Sequence, residues 1–224
     1  MIVKTVNLTR IYQLGASAIG AVTNVNLEVE EGEFVGIFGP SGSGKTTLLN
    51  LIGLIDDPTS GTVFFKGQNT SLLSRSEKRK LRFQNIGFIF QTFNLFPTLT
   101  ALENVELPLA FMKWSHQAQR KKAVHLLEAV GLTNRLDHKP TELSIGEMQR
   151  VAIARALVID PSLILADEPT GELDSKIGSE IVTLLSDLCE SHKTTTIVVT
   201  HDKQIVDVAN TKYRVYDGVL TKII

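Results

Sequence analysis

Gly39-Pro40-Ser41-Gly42-Ser43-Gly44-Lys45-Thr46-Thr47 stands between the apolar, β-branched segment Glu33-Phe-Val-Gly-Ile-Phe38 and the helix-forming run Leu48-Leu-Asn-Leu-Ile52. The order is strand, glycine loop, helix. The spacing fits G-x-x-x-x-G-K-[ST], in which the backbone N–H groups of residues 39 to 44 turn inward around phosphate oxygens with the positive end of a helix behind them. Lys45 would then reach the β- and γ-phosphates, the Thr46 hydroxyl would ligate Mg²⁺, and Thr47 would support the α-phosphate. A nucleotide-binding protein is the starting expectation.

The 224 residues are enough for one large α/β domain with a substantial core. A net charge of −1 gives no nucleic-acid footprint and no polybasic membrane anchor. With Cys189 as the lone cysteine, an internal disulfide and a cysteine-rich zinc site are excluded. Met1 to Asn7 lacks the apolar core of a signal peptide, and no apolar run approaches the ~20 residues that span a bilayer. Work at a membrane would need a second polypeptide to cross it.

Residues 2–31 read as short strands, residues 62–67 as another, and the opening is expected to be antiparallel. Residues 74–82 form a basic run, read as a solvated helix face. Ile86 to Phe90, Ser162 to Ala166 and Thr194 to Thr200 are continuous apolar or β-branched runs of the kind that fill buried parallel strands. Between them the periodicity is helical over residues 100–135, 147–158 and 175–191, with Pro108 and Gly131 as interruptions. Tyr213 to Leu220 reads as a hairpin with an Asp-Gly turn. Alternating strands and helices imply a mainly parallel sheet covered on both faces, with active groups at the carboxyl ends.

Gln91, Asp167, Glu168 and His201 each follow an apolar strand, so a parallel sheet would bring them to the edge that carries the glycine loop. Asp167 suits Mg²⁺, which prefers oxygen ligands, and Gln91 is a second candidate there. Glu168 is placed to orient or activate an attacking water, and His201 to hold that water or the γ-phosphate. Leu143-Ser-Ile-Gly-Glu-Met-Gln-Arg150 opens a helix by the same serine and glycine logic, which implies a second phosphate grip. One chain has little use for two such grips unless the second serves a nucleotide on another copy, as in a two-fold head-to-tail pair.

This set resembles the ATP-binding cassette ATPases over nearly the whole chain. Gly39 to Thr46 is similar to their Walker A motif, Gln91 to the Q-loop, Leu143 to Gln149 to the signature, and Leu163 to Glu168 to Walker B. Glu172-Leu-Asp174 looks like the D-loop, and His201 like the switch histidine. The resemblance implies an α/β fold of the P-loop NTPase (RecA-like) type, with an antiparallel N-terminal β subdomain and a helical insertion. It divides a single domain, 1–224, into a core of 1–91 and 151–224 and a helical part of 92–150. It also implies ATP and Mg²⁺ as cofactors, Tyr12 stacked on adenine, and Ser144, Gly146 and Glu147 at the nucleotide. Lys45, Gln91, Glu168 and His201 are the catalytic set, and Thr46, Gln91 and Asp167 the metal set. The segment between Tyr12 and Val22, with the run from Phe90 to Val105, resembles the lipoprotein-release and macrolide-export subgroup.

The implied function is an ATP-hydrolysing subunit of a membrane transporter or mechanotransmission complex. Its partners would be a second copy and an integral membrane permease, and its place the cytoplasmic face of the cell membrane. No nucleic acid is expected. The rival, a soluble cassette acting on nucleic acid or ribosomes, ordinarily carries coiled-coil insertions, zinc cysteines or tandem cassettes, none of which stands in the sequence. Two departures from the family pattern bear on closure of the pair. Ile145 replaces a glycine in the signature, and Glu172 stands where the D-loop normally has a small residue.

Overall fold

The computed structural model describes residues 1–15, 17–112 and 114–223. The chain begins with an antiparallel hairpin, β1 (Val3–Leu14) and β2 (Ser17–Val29), and continues into β3 (Phe34–Phe38) and the helix α1 (Lys45–Ile52). Next come β4 (Ser60–Phe65), β5 (Gln68–Asn69), α2 (Arg75–Asn85) and β6 (Ile86–Ile89). The helices α3 (Ala101–Ala110), α4 (His116–Ala129) and α5 (Ile145–Leu157) follow. Finally β7 (Leu163–Asp167), α6 (Ser175–Ser191), β8 (Thr195–Thr200), α7 (Lys203–Val208), β9 (Thr211–Tyr216) and β10 (Val219–Ile223) complete the chain.

Two sheets result. One is antiparallel, in the order β2-β1-β4-β5, as expected for the opening of the chain; the other runs β10-β9-β3-β8-β7-β6. In the second sheet β9, β3, β8, β7 and β6 are parallel and β10 alone joins antiparallel, through the Asp217-Gly218 turn with both residues at positive φ. β3 and β8 lie side by side at the centre with β7 next to β8, so the strands that precede the glycine loop, Glu168 and His201 end together at one edge. Their buried faces explain the continuous apolar runs: all six β8 residues are buried, and only Phe38 in β3 and Asp167 in β7, each at its strand's end, are not.

Residues 100–135 are not one helix. α3 stops two residues after Pro108, whose ring and missing N–H oppose continuation, and α4 ends at Val130-Gly131, where Gly131 takes φ 78. α5 starts at Ile145, two residues before the expected Glu147, because Ser144 accepts a hydrogen bond from Glu147 N while the Glu147 carboxylate accepts from Ser144 N. It runs unbroken through residue 150, so the helical part joins the core without a loop. α7 carries no periodicity long enough to be read from sequence and was not expected.

Candidate active site

The amino end of α1 shows why the glycine loop needs its glycines. Gly44 has φ 100, and a Cβ there would come within 2.0 Å of the Ala21 carbonyl oxygen of β2. A Cβ on Gly39 would come within 2.2 Å of the Val215 carbonyl oxygen of β9. The loop is pressed between two strands, and glycine is the residue that fits.

No side chain caps α1, whereas α2, α3, α4, α5 and α6 are capped by Ser74, Thr100, Ser115, Ser144 and Asp174. The first N–H groups of a helix have no partner inside it, so those of α1 are left for an anion. Ser43 is buried too, with a hydroxyl that takes no hydrogen bond among the described residues. The cleft beyond this end is lined by Ser41, Gly42, Lys45, Thr46, Gln91 and Glu168 among others, with a volume of about 520 Å³. These features fit the triphosphate of a nucleotide.

Lys45 and Glu168 are both largely buried, and their charged ends lie 3.3 Å apart. Lys45 Nζ also donates to the carbonyl oxygens of Gly39 and Pro40, at 2.9 and 3.0 Å, which holds the ammonium inside the loop. The other Glu168 oxygen accepts from the Thr200 hydroxyl at 3.0 Å, from His201 N–H at 3.2 Å and from His201 Nδ1 at 2.9 Å. An ionised carboxylate only accepts, so Nδ1 carries a proton and Nε2 is the nitrogen left to face a ligand. Glu168 itself sits at φ 45, a left-handed conformation that costs a non-glycine residue about 1–3 kcal/mol and is over-represented at functional sites.

Thr46 donates to Asp167 Oδ1 across 3.1 Å. Burial pushes the Asp167 carboxyl above its ordinary range and the Glu168 charge adds to this, while the Thr46 bond and Lys45 oppose it. A hydroxyl beside a half-buried carboxylate is a donor set suited to Mg²⁺, which would complete its octahedron with phosphate and water oxygens. Gln91 lines the same cleft but its Nε2 donates to Glu172 Oε1 at 3.2 Å, so its side chain is held towards the D-loop segment.

Two groups expected at the nucleotide stand outside this cleft. Ser144, Gly146 and Glu147 lie at the start of α5. Hydrogen bonds from Ser144 N–H and then from Arg135 hold the Glu147 carboxyl below the usual range, and they engage both of its oxygens. Tyr12 also stands apart: its hydroxyl donates to Asp56 at 2.8 Å and one ring face lies under the Arg10 guanidinium, 4.6 Å from the centroid. Adenine would have to use the other face. Sequence reasoning missed Thr200, whose hydroxyl is hidden in a β-branched strand, and Ala21, which meets the loop through its backbone.

A family model described as ABC transporter matches residues 22–171. The chain belongs to the ABC transporter family. The MJ1508 ABC transporter ATP-binding protein of Methanocaldococcus jannaschii is 49% identical over 218 residues, 97% of each chain. A dimeric, post-hydrolysis structure of the ATP-binding cassette MJ0796 bound to ADP and Pi matches with a TM-score of 0.91 at 47% identity, covering 100% of this chain and 99% of that one. The cbiO1 protein of Clostridium perfringens, part of the ABC transporter complex cbiONQ, matches with a TM-score of 0.87 at 31% identity over 98% of this chain and 86% of that one. The ABC cassette described here is thus an ATP-binding subunit with ATPase activity, and its α/β architecture is the one its motifs implied.

Proposed function

We propose that this cassette works as a head-to-tail pair of identical chains, in which the start of α5 on one chain closes over the nucleotide in the glycine-loop cleft of the other. The observation that carries this is the division of the phosphate-binding features. Lys45, Thr46, Gln91, Glu168 and His201 line one cleft, and Ser144 and Gly146 are absent from its lining. The MJ0796 cassette forms dimeric structures, one of them bound to ADP and Pi, which supports the pairing. Mg²⁺, held by Thr46 and Asp167 with Gln91 joining them, would neutralise charge on the phosphates. Lys45 leaves Glu168 for the phosphate, Glu168 then orients and deprotonates water, and His201 holds the γ-phosphate through Nε2. Glu147 acts indirectly, by fixing Ser144.

The pair would drive a separate membrane permease from the cytoplasmic face. No helix among the described residues is long and apolar enough to cross a membrane. The docking place is the groove beside the segment that follows Gln91, where Phe96 is 51% exposed and Phe93, Leu95 and Leu99 are half-buried. Arg155 ties that segment to α5 by donating to the Phe93 and Asn94 carbonyls at 2.7 and 2.6 Å, so pressure in the groove reaches Gln91 and the signature helix together. We infer membership of the lipoprotein-release and macrolide-export subgroup, a reading supported by the resemblance of the segment between Tyr12 and Val22 and of the run from Phe90 to Val105. Sedimentation velocity with Mg²⁺ and a slowly hydrolysed ATP analogue tests the pairing. A dimer that disappears on removing nucleotide is expected, and a monomer throughout would contradict it.

A further inference from the structure

The ladder between β1 and β4 ends at the Thr9–Ser60 pair, so beyond it Tyr12 stands on a ribbon of two strands, β1 and β2. Two strands alone hold their shape poorly in water. The turn at residues 56–59 supplies what the sheet does not. Thr59 N–H donates to the Thr9 carbonyl at 2.8 Å, and the Thr59 hydroxyl accepts from Ile11 N–H at 3.0 Å, which fixes the backbone on both sides of Arg10. The side chains are fixed as well. One Asp56 oxygen accepts from the Tyr12 hydroxyl at 2.8 Å, and the other from the Arg10 guanidinium at 3.0 Å and from Asp57 N–H at 2.8 Å.

Arg10 also donates to the Asp57 carbonyl at 2.8 Å, yet its Nε is buried and has no hydrogen-bond partner among the described residues. A guanidinium placed for its hydrogen bonds alone would not leave that donor unmet. What its placement keeps is a cation 4.6 Å from the centroid of the Tyr12 ring. A cation on one face draws electron density from the ring and so weakens the repulsion between the opposite face and a second aromatic ring stacked on it. That opposite face lies close to the phosphate grip. Val22 and Gly20 stand opposite Arg10 and Ile11, so Ala21 is the extra residue of a bulge, and it presses on the glycine loop at Gly44 and lines the cleft. Ile19, the 51% exposed ladder partner of Tyr12, shares its face of the ribbon and stands two residues, about 7 Å, along β2 from that contact.

We propose that Arg10 and Asp56 are positioning residues for the nucleotide: they hold the Tyr12 ring in place before the nucleotide arrives, so that its free face and the Ile19 side chain form a ready platform for the base. This rests on the reading that the nucleotide lies in the glycine-loop cleft with its base on Tyr12. A ring already ordered loses little freedom when a base stacks on it, so affinity depends on the clamp as well as on the ring. Calorimetry on full-length variants in a Glu168→Gln background, with Mg²⁺ and either ATP or ribose 5-triphosphate, which has the sugar and phosphates but no base, tests both. Tyr12→Ala should weaken ATP binding about tenfold and Arg10→Met about fivefold, with ribose 5-triphosphate unaffected by either. The double substitution should bind ATP no more weakly than Tyr12→Ala, and Arg10→Lys, which keeps the cation, should recover part of the loss. Tyr12→Phe keeps the ring and removes only its bond to Asp56, so it reads the clamp even where Arg10→Met fails to fold, and should weaken ATP about threefold. Full ATP affinity in Arg10→Met and Tyr12→Phe, equal losses for the two ligands, or a further loss from Arg10→Met in the Tyr12→Ala background overturns the clamp and leaves the base on Tyr12. Full ATP affinity in Tyr12→Ala overturns the platform itself.

Discussion

Lys45 Nζ and Glu168 Oε1 lie 3.3 Å apart, so the cation proposed to grip phosphate and the carboxylate proposed to act on water hold each other in the free chain. The three further donors to Glu168, from Thr200 and His201, leave no oxygen of that side chain idle. In the proposed mechanism a γ-phosphate that draws Lys45 away would release one Glu168 oxygen to orient water, which would couple that carboxylate to the substrate.

Asp167 gives the site a pH signature. Burial raises its carboxyl above the ordinary range, so the folded chain binds more protons than the unfolded one between the two values, and stability falls as pH rises across that interval. Asp167→Asn removes the slope while keeping an oxygen for Thr46. Without Mg²⁺ and nucleotide, the variant should melt about 2 °C or more above wild type at pH 7 and lose the extra stability that Mg·ATP confers. Melting curves from pH 4 to pH 8 check this; parallel curves for the two proteins would remove Asp167 from the account.

Ile145 is the first residue of α5 and is 48% exposed, so its side chain fills no core. Ile145→Gly should strengthen ATP-dependent pairing, because two backbones must approach closely around the γ-phosphate, while weakening the isolated helix by at most about 1 kcal/mol. Sedimentation in a Glu168→Gln background measures it. Unchanged or weaker association would show that Ile145 is accommodated without cost.

Phe96 is exposed, yet its backbone is fixed: its N–H donates to Asn104 Oδ1 at 2.8 Å and its carbonyl accepts from Asn104 Nδ2 at 3.2 Å, with Asn104 fully buried. Phe96→Asp should therefore keep basal ATPase activity and a melting temperature within about 2 °C of wild type while abolishing membrane association. Flotation of membranes carrying the assembled transporter reads the last property. An unfolded variant, or one that floats normally, would move the docking groove elsewhere.

The phosphate end of this site was legible because it is written locally. Gly39 to Thr47 needs a fixed spacing, and Asp167, Glu168 and His201 each follow an apolar run that announces a buried strand. What escaped depends on pairs far apart in the chain. The threonine at 200 reads as one more strand residue until β7 and β8 lie side by side, 32 residues of sequence separating it from Glu168. Arg155 and the carbonyls of Phe93 and Asn94 meet over a separation of about 60, and no local pattern marks them. Over residues 100–135 Pro108 and Gly131 mark interruptions of the helical pattern in the sequence, and α3 and α4 end at them, while the start of α4 is set by the Ser115 cap. Tyr12 was legible by its place in the sequence, but its contacts with Arg10 and Asp56, the latter 44 residues away, were not.

The account turns on Glu168 as the group that acts on water, and Glu168→Gln tests it most directly, since the substitution keeps shape and hydrogen-bonding reach but removes charge and basicity. The measurement is phosphate release from Mg·ATP by variant and wild type, with nucleotide binding followed on the same samples by calorimetry. Binding retained, with hydrolysis slowed by about two orders of magnitude or more and an ATP-bound dimer accumulating, is the expected result. A variant that binds ATP and turns it over at the wild-type rate would contradict the account.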